Sequence, residues 1–350
     1  MKSIRVLWIS PGFASDEQDD GCLPPLQLLA LALKDRGVDL QILTLAYPFY
    51  GAEYLWHGIQ IKSGYGWNRR WFRWINWMRI IRFAAQWYRI RKFDIVHSFW
   101  LGPSWLIGNY LKWKWHVPHI TTLMGQDVLR SNFYLKLLNR SLAQALVAVS
   151  HYQHLQFKRT TGFSDLPIIG WGLALHDDSN PKSYFRTIDI LGCGSLIPVK
   201  NWDVWLQVVG RLLIRFPDLK IEIIGEGSEL KLLQHLIAAL KLQNKIILLG
   251  KLPRSQVLKK MAESKILLHT SHFESFGMVL IEAAANECQV ISTPVGIAPE
   301  IGTCGNTIDQ LVQLVQEALE HPNTKKIPKI HPIEETSAAY IKLYNEFINN

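Results

Sequence analysis

The sequence predicts an α/β protein made of two Rossmann-like, doubly wound domains facing across a cleft. Three observations carry that expectation: a length of 350 residues, strand-like runs that alternate with helical patterns in both halves, and a break near Leu175 after which the alternation starts afresh. A chain of 350 residues exceeds one ordinary core, whereas two domains of roughly 150 to 180 residues can each bury their own. Apolar residues make up 48% and charged residues 19%, which suits a folded globular protein and excludes a disordered one.

The first β-like run, Ile4–Ile9, leads through a Pro/Gly/Asp loop (Pro11 to Gly21) into a helical pattern from Leu26 to Leu33 that ends at Gly37, a βα unit. Runs at Leu40–Leu45, Ile95–Ser98, Ile120–Leu123 and Ala145–Val149, with helical patterns between several of them, extend it into a parallel sheet over residues 1–175. The polar stretch that opens His176-Asp-Asp-Ser-Asn-Pro-Lys-Ser supplies a linker over 176–187. The second domain, 188–330, begins with a strand at Ile188–Leu191, the loop Gly192–Asn201 and a helix from Trp202 to Arg215. It continues through strands at Lys220–Ile224, Ile246–Leu249, Ile266–His269 and Gln289–Ser292. Sheets of this type bind ligands at the carboxyl ends of their strands.

The formal charge of +9 is concentrated rather than spread: Ile61 to Phe93 holds nine basic residues and no acidic one, and the rest of the chain is balanced. A nucleic-acid protein would carry a basic stripe over its binding face, so no nucleic-acid partner is expected. The cysteines Cys22, Cys193, Cys288 and Cys304 lie far apart, with neither a Cys-x-x-Cys pair nor metal-ligand spacing, which fits a reducing compartment and no metal site. The N-terminal apolar run is too short for a secretory signal, and no window reaches the roughly 18 apolar residues of a spanning helix, so a cytoplasmic protein with at most peripheral membrane contact is expected.

The stretch richest in chemistry is His269-Thr-Ser-His-Phe-Glu274-Ser-Phe-Gly277-Met-Val-Leu-Ile-Glu282-Ala-Ala-Ala. It follows a strand and opens a helix near Phe276, so backbone N–H groups and the positive end of the helix dipole would face whatever lies over Ser275, Phe276, Gly277 and Met278, a natural diphosphate site. Glu274 precedes the helix and Glu282 lies two turns in, up to ~12 Å apart at 1.5 Å per residue. That separation suits opposite ends of an extended nucleotide-sugar better than a shared proton relay. The competing account is an ordinary αβ unit with two incidental glutamates, but Glu282 sits among Leu280, Ile281 and three alanines, where a solvated carboxylate has little polar company.

These residues resemble the retaining glycosyltransferases of GT-B fold, family 4 (glycosyl transferases group 1), whose signature is a Glu, seven residues and a second Glu, as in Glu274 to Glu282. Ile224-Gly-Glu-Gly-Ser-Glu229, Leu249-Gly-Lys-Leu-Pro253 and Val290 to Glu300 resemble further characteristic stretches. The resemblance implies that Glu274 contacts the transferred sugar, that Glu282 contacts the ribose, and that Gly225 and Leu252 line the donor nucleotide. It also implies that Lys200 meets the diphosphate. The family usually has Gly-Arg-Leu followed by Lys-Gly there; this chain keeps the lysine but has Ser195 for the arginine and Asn201 for the glycine, so one phosphate cation is missing or comes from elsewhere. In the first domain Thr121-Thr-Leu-Met-Gly-Gln-Asp127 resembles the acceptor-side motif, with Met124 at the usual histidine. Asp127, as a catalytic group, and His97 would line the cleft, and Gly21 would approach the phosphates where many members carry Gly-Gly. The helical pattern Ile333–Phe347, within 331–350, would return to the first domain.

Taken together, the resemblance implies a metal-independent hexosyltransferase that moves a sugar from a nucleotide-diphosphate donor to an acceptor with retention. It needs no cofactor, the nucleotide-sugar being a substrate. No Asp-x-Asp motif is present, which disfavours a metal-bridged leaving group. A nucleotide-sugar epimerase of similar fold and a catalytically silent sugar-nucleotide or membrane adaptor are the competing readings. A nicotinamide dehydrogenase is the weakest, since neither strand–loop junction carries Gly-x-Gly-x-x-Gly.

The basic segment interleaves its arginines with Trp67, Trp71, Trp74, Trp77 and Trp87, and the pattern puts Trp67, Trp71, Trp74, Met78, Ile81, Ala85 and Tyr88 on one helical stripe. Tryptophan with arginine suits the headgroup layer of an anionic membrane, so residues 65–93 are expected to meet the inner face of the plasma membrane, and the acceptor to be lipid-linked or a polysaccharide precursor. The alternative is a helix that simply packs behind the strand at Ile95–Ser98.

Overall fold

The N-terminal apolar run forms the strand around which the first sheet is laid, because Val6, Leu7, Trp8 and Ile9 are all buried and can only be satisfied by cover on both faces. The computed structural model describes residues 3–64, 73–174, 185–321 and 330–349. Trp67, Arg69, Arg70 and Trp71 of the basic segment and the first part of the expected linker, 176–184, lie outside them. The chain divides into two compact units, Met1–Ala174 with His331–Asn350, and Leu175–Ile330.

The first unit runs β1 (Arg5–Gly12), α1 (Pro24–Asp35), β2 (Asp39–Tyr47), β3 (Glu53–Trp56), β4 (Ile59–Ser63), α2 (Arg73–Ile90), β5 (Ile95–Phe99), α3 (Pro103–Trp115), β6 (His119–Thr122), α4 (Arg140–Gln144), β7 (Leu146–Val147) and α5 (His151–Thr161). Its seven-stranded sheet has the order β3-β4-β2-β1-β5-β6-β7, parallel except for β3 against β4. That hairpin, unseen in the sequence pattern, turns through His57 and Gly58, both at positive φ (45° and 77°), as a two-residue turn matched to strand twist demands.

In α2 the buried side chains are Asn76, Ile80, Ala84 and Trp87, which turn inward, while Trp74, Met78, Arg79, Arg82, Gln86 and Arg89 are exposed. The stripe read from the sequence is therefore corrected in phase. Ile81, Ala85 and Tyr88 lie on the flank of the helix, half-buried, and only Trp74 and Met78 of the described stripe reach the surface.

The last helix, α12 (Ile333–Asn349), belongs to the first unit. The Trp8 indole N–H donates to the Tyr344 hydroxyl at 3.3 Å, which also bonds His97 Nδ1 at 2.7 Å. His97 Nε2 bonds the Thr122 hydroxyl at 2.8 Å, and Thr122 bonds the Tyr340 hydroxyl at 2.9 Å. His97 is wholly buried, and burial, with a lesser push from His119, holds its imidazole well below the ordinary range. The expectation that His97 lines a cleft is corrected: it is a neutral internal connector between β5, β6 and α12.

The second unit runs β8 (Ile188–Cys193), α6 (Trp202–Arg215), β9 (Ile221–Ile224), α7 (Leu230–Ala239), β10 (Ile246–Gly250), α8 (Arg254–Ala262), β11 (Ser264–His269), α9 (Met278–Ala285), β12 (Gln289–Ser292), α10 (Ala298–Ile301), β13 (Thr303–Cys304) and α11 (Ile308–Glu320). Its six parallel strands lie in the order β10-β9-β8-β11-β12-β13, so the winding reverses between β8 and β11. A ligand crevice opens at the carboxyl ends of strands at such a reversal. Among the described residues, no helix is long and apolar enough to cross a membrane.

Replacing Tyr344 by Phe strands the Trp8 N–H and a His97 nitrogen in the interior, and each buried unpaired polar group costs about 1–3 kcal/mol. Urea unfolding is expected to show a loss of that size; an unchanged midpoint would mean that α12 is held by apolar packing alone.

Candidate active site

Five loops of the second unit meet at the carboxyl edge around the reversal point, following β8, β9, β10, β11 and β12. Their close approach depends on glycine. Gly225 has φ +153°, and a Cβ there would lie 1.9 Å from the Gly194 carbonyl oxygen, so the loops after β8 and β9 touch backbone to backbone. Gly277 has φ +94° and ends the loop after β11 without any side-chain cap on α9. The helix thus starts at Met278, slightly later than the sequence pattern suggests, with its dipole and first-turn N–H groups offered to an anion.

Glu274 stands immediately before this helix end. Its Oε1 accepts from Lys200 Nζ, from His269 Nε2 at 3.0 Å and from the Ser271 hydroxyl at 2.9 Å. Burial alone would push the Glu274 carboxyl up, but the His269 hydrogen bond and the Lys200 ammonium overcome it and hold the pKa at about 2. Lys200 is brought there by a single 3-10 turn, Pro198–Lys200, and by Asn201 at φ +58°. Asparagine tolerates the left-handed region better than most side chains, which explains how Asn201 can stand where glycine is usual. The Thr270 hydroxyl lies within hydrogen-bond distance of the Lys200 and Asn201 carbonyls (3.2 and 3.0 Å), and the His272 N–H donates to the Val199 carbonyl at 2.9 Å, so the two loops are stapled together. The exposed Ser195 brings no cation to this loop; its carbonyl accepts the Trp202 indole N–H at 3.1 Å.

Glu282, on α9, is paired with Arg254, the first residue of α8, at 2.7 Å. Burial raises its pKa, and the Arg254 guanidinium opposes that rise. The buried Cys193 thiol at the end of β8 is pushed up to about 12 by burial and by the nearby Glu282 charge, so it is no nucleophile. Sequence reasoning missed Arg254, His269 and Ser271. For Arg254 the available signal was an arginine opening the helix directly after Leu249-Gly-Lys-Leu-Pro253.

Of the other expected site residues in this unit, Leu252, Ser275 and Met278 are half-exposed in the loops after β10 and β11 and at the start of α9. Phe276 differs: its ring is buried, and its carbonyl accepts the Ile297 N–H at 2.7 Å, so only its main chain belongs to the junction.

In the first unit, Gly21 lies in an exposed loop shaped by Asp19, which accepts the Ser15, Gly21 and Cys22 N–H groups and the Tyr47 hydroxyl. Asp127 is buried and accepts the main-chain N–H groups of Leu101 at 2.9 Å, Gly125 at 3.1 Å and Met124 at 3.3 Å. Burial pushes its pKa up to about 6 against the pull of those N–H bonds. Asp127 thus braces the Met124–Val128 loop from within.

A family model described as glycosyltransferase family 4 matches residues 26–171, and one described as glycosyl transferases group 1 matches residues 180–328. The chain belongs to the family 4 glycosyltransferases of GT-B fold. Sucrose-phosphate synthase from Thermosynechococcus elongatus superposes with a TM-score of 0.79 at 14% identity, covering 99% of each chain. Anabaena HepE, solved in complex with UDP and glucose, gives 0.66 at 16% identity, over 99% of this glycosyltransferase and 97% of that chain. In sequence, the chain is similar to the gpi3 subunit of the phosphatidylinositol N-acetylglucosaminyltransferase of Schizosaccharomyces pombe, 34% identical over 125 residues, 36% of this chain and 27% of that protein. The chain spans between 25% and 58% of the length of this and several other curated relatives.

The Glu274 pKa of about 2 lies below the ordinary value, about 4.3 for a glutamate. Its ionisation therefore stabilises the fold at pH values above that ordinary value, and the contribution fades as pH falls through the folded value. Glu274→Gln is expected to lower unfolding free energy by on the order of 2–3 kcal/mol near neutral pH, with the gap to wild type closing on acidification. Denaturant titrations at several pH values check this; a gap that does not change with pH would refute the assignment.

Proposed function

We propose that the chain transfers a sugar from a nucleoside-diphosphate donor to an acceptor hydroxyl with retention of configuration, without a metal ion. The observation that carries the proposal is the meeting of Lys200 and Glu274 at the uncapped start of α9. A cation and a helix N-terminus together suit a diphosphate, and an ionised carboxylate beside them suits the hydroxyls of the sugar attached to it. The HepE neighbour, with UDP and glucose bound, supports a donor of that chemistry. Glu282 then takes the ribose hydroxyls, with Gly225 and Leu252 near the base.

In the reaction the bond between the anomeric carbon and the β-phosphate oxygen breaks and a bond from the acceptor oxygen forms on the same face. The acceptor proton passes to the departing phosphate. Lys200 and the α9 N–H groups stabilise the charge that accumulates on that phosphate, and removing one such preorganised donor costs on the order of 10²–10³ in rate. Lys200→Ala and Glu274→Ala are expected to lower turnover by that much with melting curves of folded protein. Near-normal transfer by either variant would sink the roles assigned to these two side chains, and NMR of the product anomer decides retention.

Arg254 gives a separate handle on Glu282. In Arg254→Met the effect of burial is unopposed, so the Glu282 carboxyl takes up its proton at higher pH. Binding of UDP to this variant should weaken relative to wild type as pH is lowered, the two curves diverging toward the acid side. Parallel curves for the two proteins would separate Arg254 from donor recognition.

The acceptor is best read as an amphiphile held at an anionic membrane surface on the cytoplasmic side. The outer face of α2 supports this: it exposes Trp74 and Met78 with Arg79, Arg82 and Arg89, and the helix contains no acidic residue. The name of the fission-yeast relative, a phosphatidylinositol N-acetylglucosaminyltransferase, is in keeping with a lipid acceptor.

A further inference from the structure

Helix α3 was not singled out by its sequence, yet it shares the composition of α2. Pro103–Trp115 contains Lys112 and Lys114 and no acidic residue. The two helices are neighbours on one face of the first sheet, joined by the Tyr88 and Trp115 rings, stacked with centroids 4.1 Å apart and planes within 5°. Phe93 and Val96 with Ile107 and Leu111 close the core beneath them. As crossovers leading into the neighbouring parallel strands β5 and β6, α2 and α3 run side by side in the same direction, level with each other at Tyr88 and Trp115.

The outer surface of α3 is unusual for a helix with a packed inner face. Trp113 is 71% exposed, and beside it lie Tyr110, with ring centroids 6.0 Å apart, and Lys114, whose Nζ donates to the Tyr110 hydroxyl at 3.3 Å. An aromatic pair left in water with a lysine against it matches the headgroup layer of a bilayer, where ring faces are covered and ammonium groups meet phosphates. At 1.5 Å per residue, Trp113 lies ~18 Å along the helix layer from Trp74 and ~12 Å from Met78. Arg82 and Arg89 lie on the exposed face of α2 between and beside the two aromatic points.

We propose that Tyr110, Trp113, Lys112 and Lys114 form a second anchor for an anionic bilayer, so that the α2–α3 layer lies flat on the membrane rather than hanging from the start of α2. The inference rests on the membrane reading of α2 and extends it to a defined orientation. Two points of contact well apart along the layer fix the tilt of the first unit, which one apolar point cannot do. The partner is the bilayer surface itself. Each cation near such a surface strengthens binding about fivefold, and the gain is lost as salt rises.

The test uses the full chain and sedimentable vesicles of phosphatidylcholine with phosphatidylserine, at low and high salt, with three proteins besides wild type. Tyr110→Ser/Trp113→Ser and Lys112→Gln/Lys114→Gln change only exposed side chains of α3. Trp74→Ser/Met78→Ser changes α2. All four are expected to melt alike, and each variant is expected to partition on the order of tenfold more weakly than wild type. If the α3 variants bind as wild type and the α2 variant does not, α3 is no anchor and the α2 reading stands. If wild type itself ignores anionic vesicles, the membrane reading fails and takes this inference with it. Tighter binding to a single-stranded oligonucleotide than to vesicles, lost in the lysine variants, would reassign the surface and overturn the proposal.

Discussion

The candidate site depends on one constraint: a carboxylate buried to the extent of Glu274 must be ionised and paired, or neutral. Pairing wins because three donors, two from loops and one from the end of β11, reach the same oxygen. Each donor has a reason to be there. Lys200 is delivered by a turn that ends at positive φ on Asn201, His269 closes β11, and Ser271 follows two residues later. The attraction of these partners more than offsets the desolvation of the carboxylate, which is why its pKa lies at about 2. What the pairing supplies is a cation held at a helix terminus before any ligand arrives, which is the economical arrangement for a site that must meet a diphosphate. On the proposed reading the donor competes with Glu274 for Lys200, and His269 and Ser271 remain to hold the carboxylate while the ammonium turns to phosphate.

The same logic separates what could be read from the sequence from what could not. The αβ alternation was legible because buried parallel strands are short apolar runs and their helices are amphipathic, so β1, β8 and β11 announce themselves. The β3–β4 hairpin was not, because Glu53–Trp56 is a short edge strand with mixed polarity and its turn, His57-Gly58, lacks the usual asparagine or aspartate. Local pattern also gave the Glu274 to Glu282 junction, since the loop, the glycine and the helix are contiguous. Arg254 escaped because its partner is reached only through the packing of α8 on α9, which no local spacing encodes.

His97 and Asp127 mark where burial cannot be read from sequence. A polar residue inside a parallel strand, as His97 is in β5, or in the loop beyond one, as Asp127 is after β6, looks the same in sequence whether it faces a ligand or the interior. For His97 the decision lies with Tyr344, 247 residues away, whose hydroxyl takes one ring nitrogen while Thr122 takes the other. For Asp127 it lies with three nearby N–H groups that no side-chain pattern displays. In both cases a buried polar group is matched by partners from the protein itself.

On the proposed reading the first unit has a further task at the membrane surface. Its polar interior binds α12 to β1, β5 and β6, and its helices α2 and α3 face outward with cations and no acids. A surface of this kind is costly for a protein that stays in water, because exposed aromatic rings invite association. It becomes favourable beside a bilayer, where the same rings are covered and the arginines and lysines replace counterions. With a helix layer on the membrane, the strands of the first sheet run roughly parallel to the bilayer, since the helices that cover a sheet lie nearly along its strands. On the proposed reading their carboxyl ends then open sideways, one helix layer above the bilayer, rather than into it.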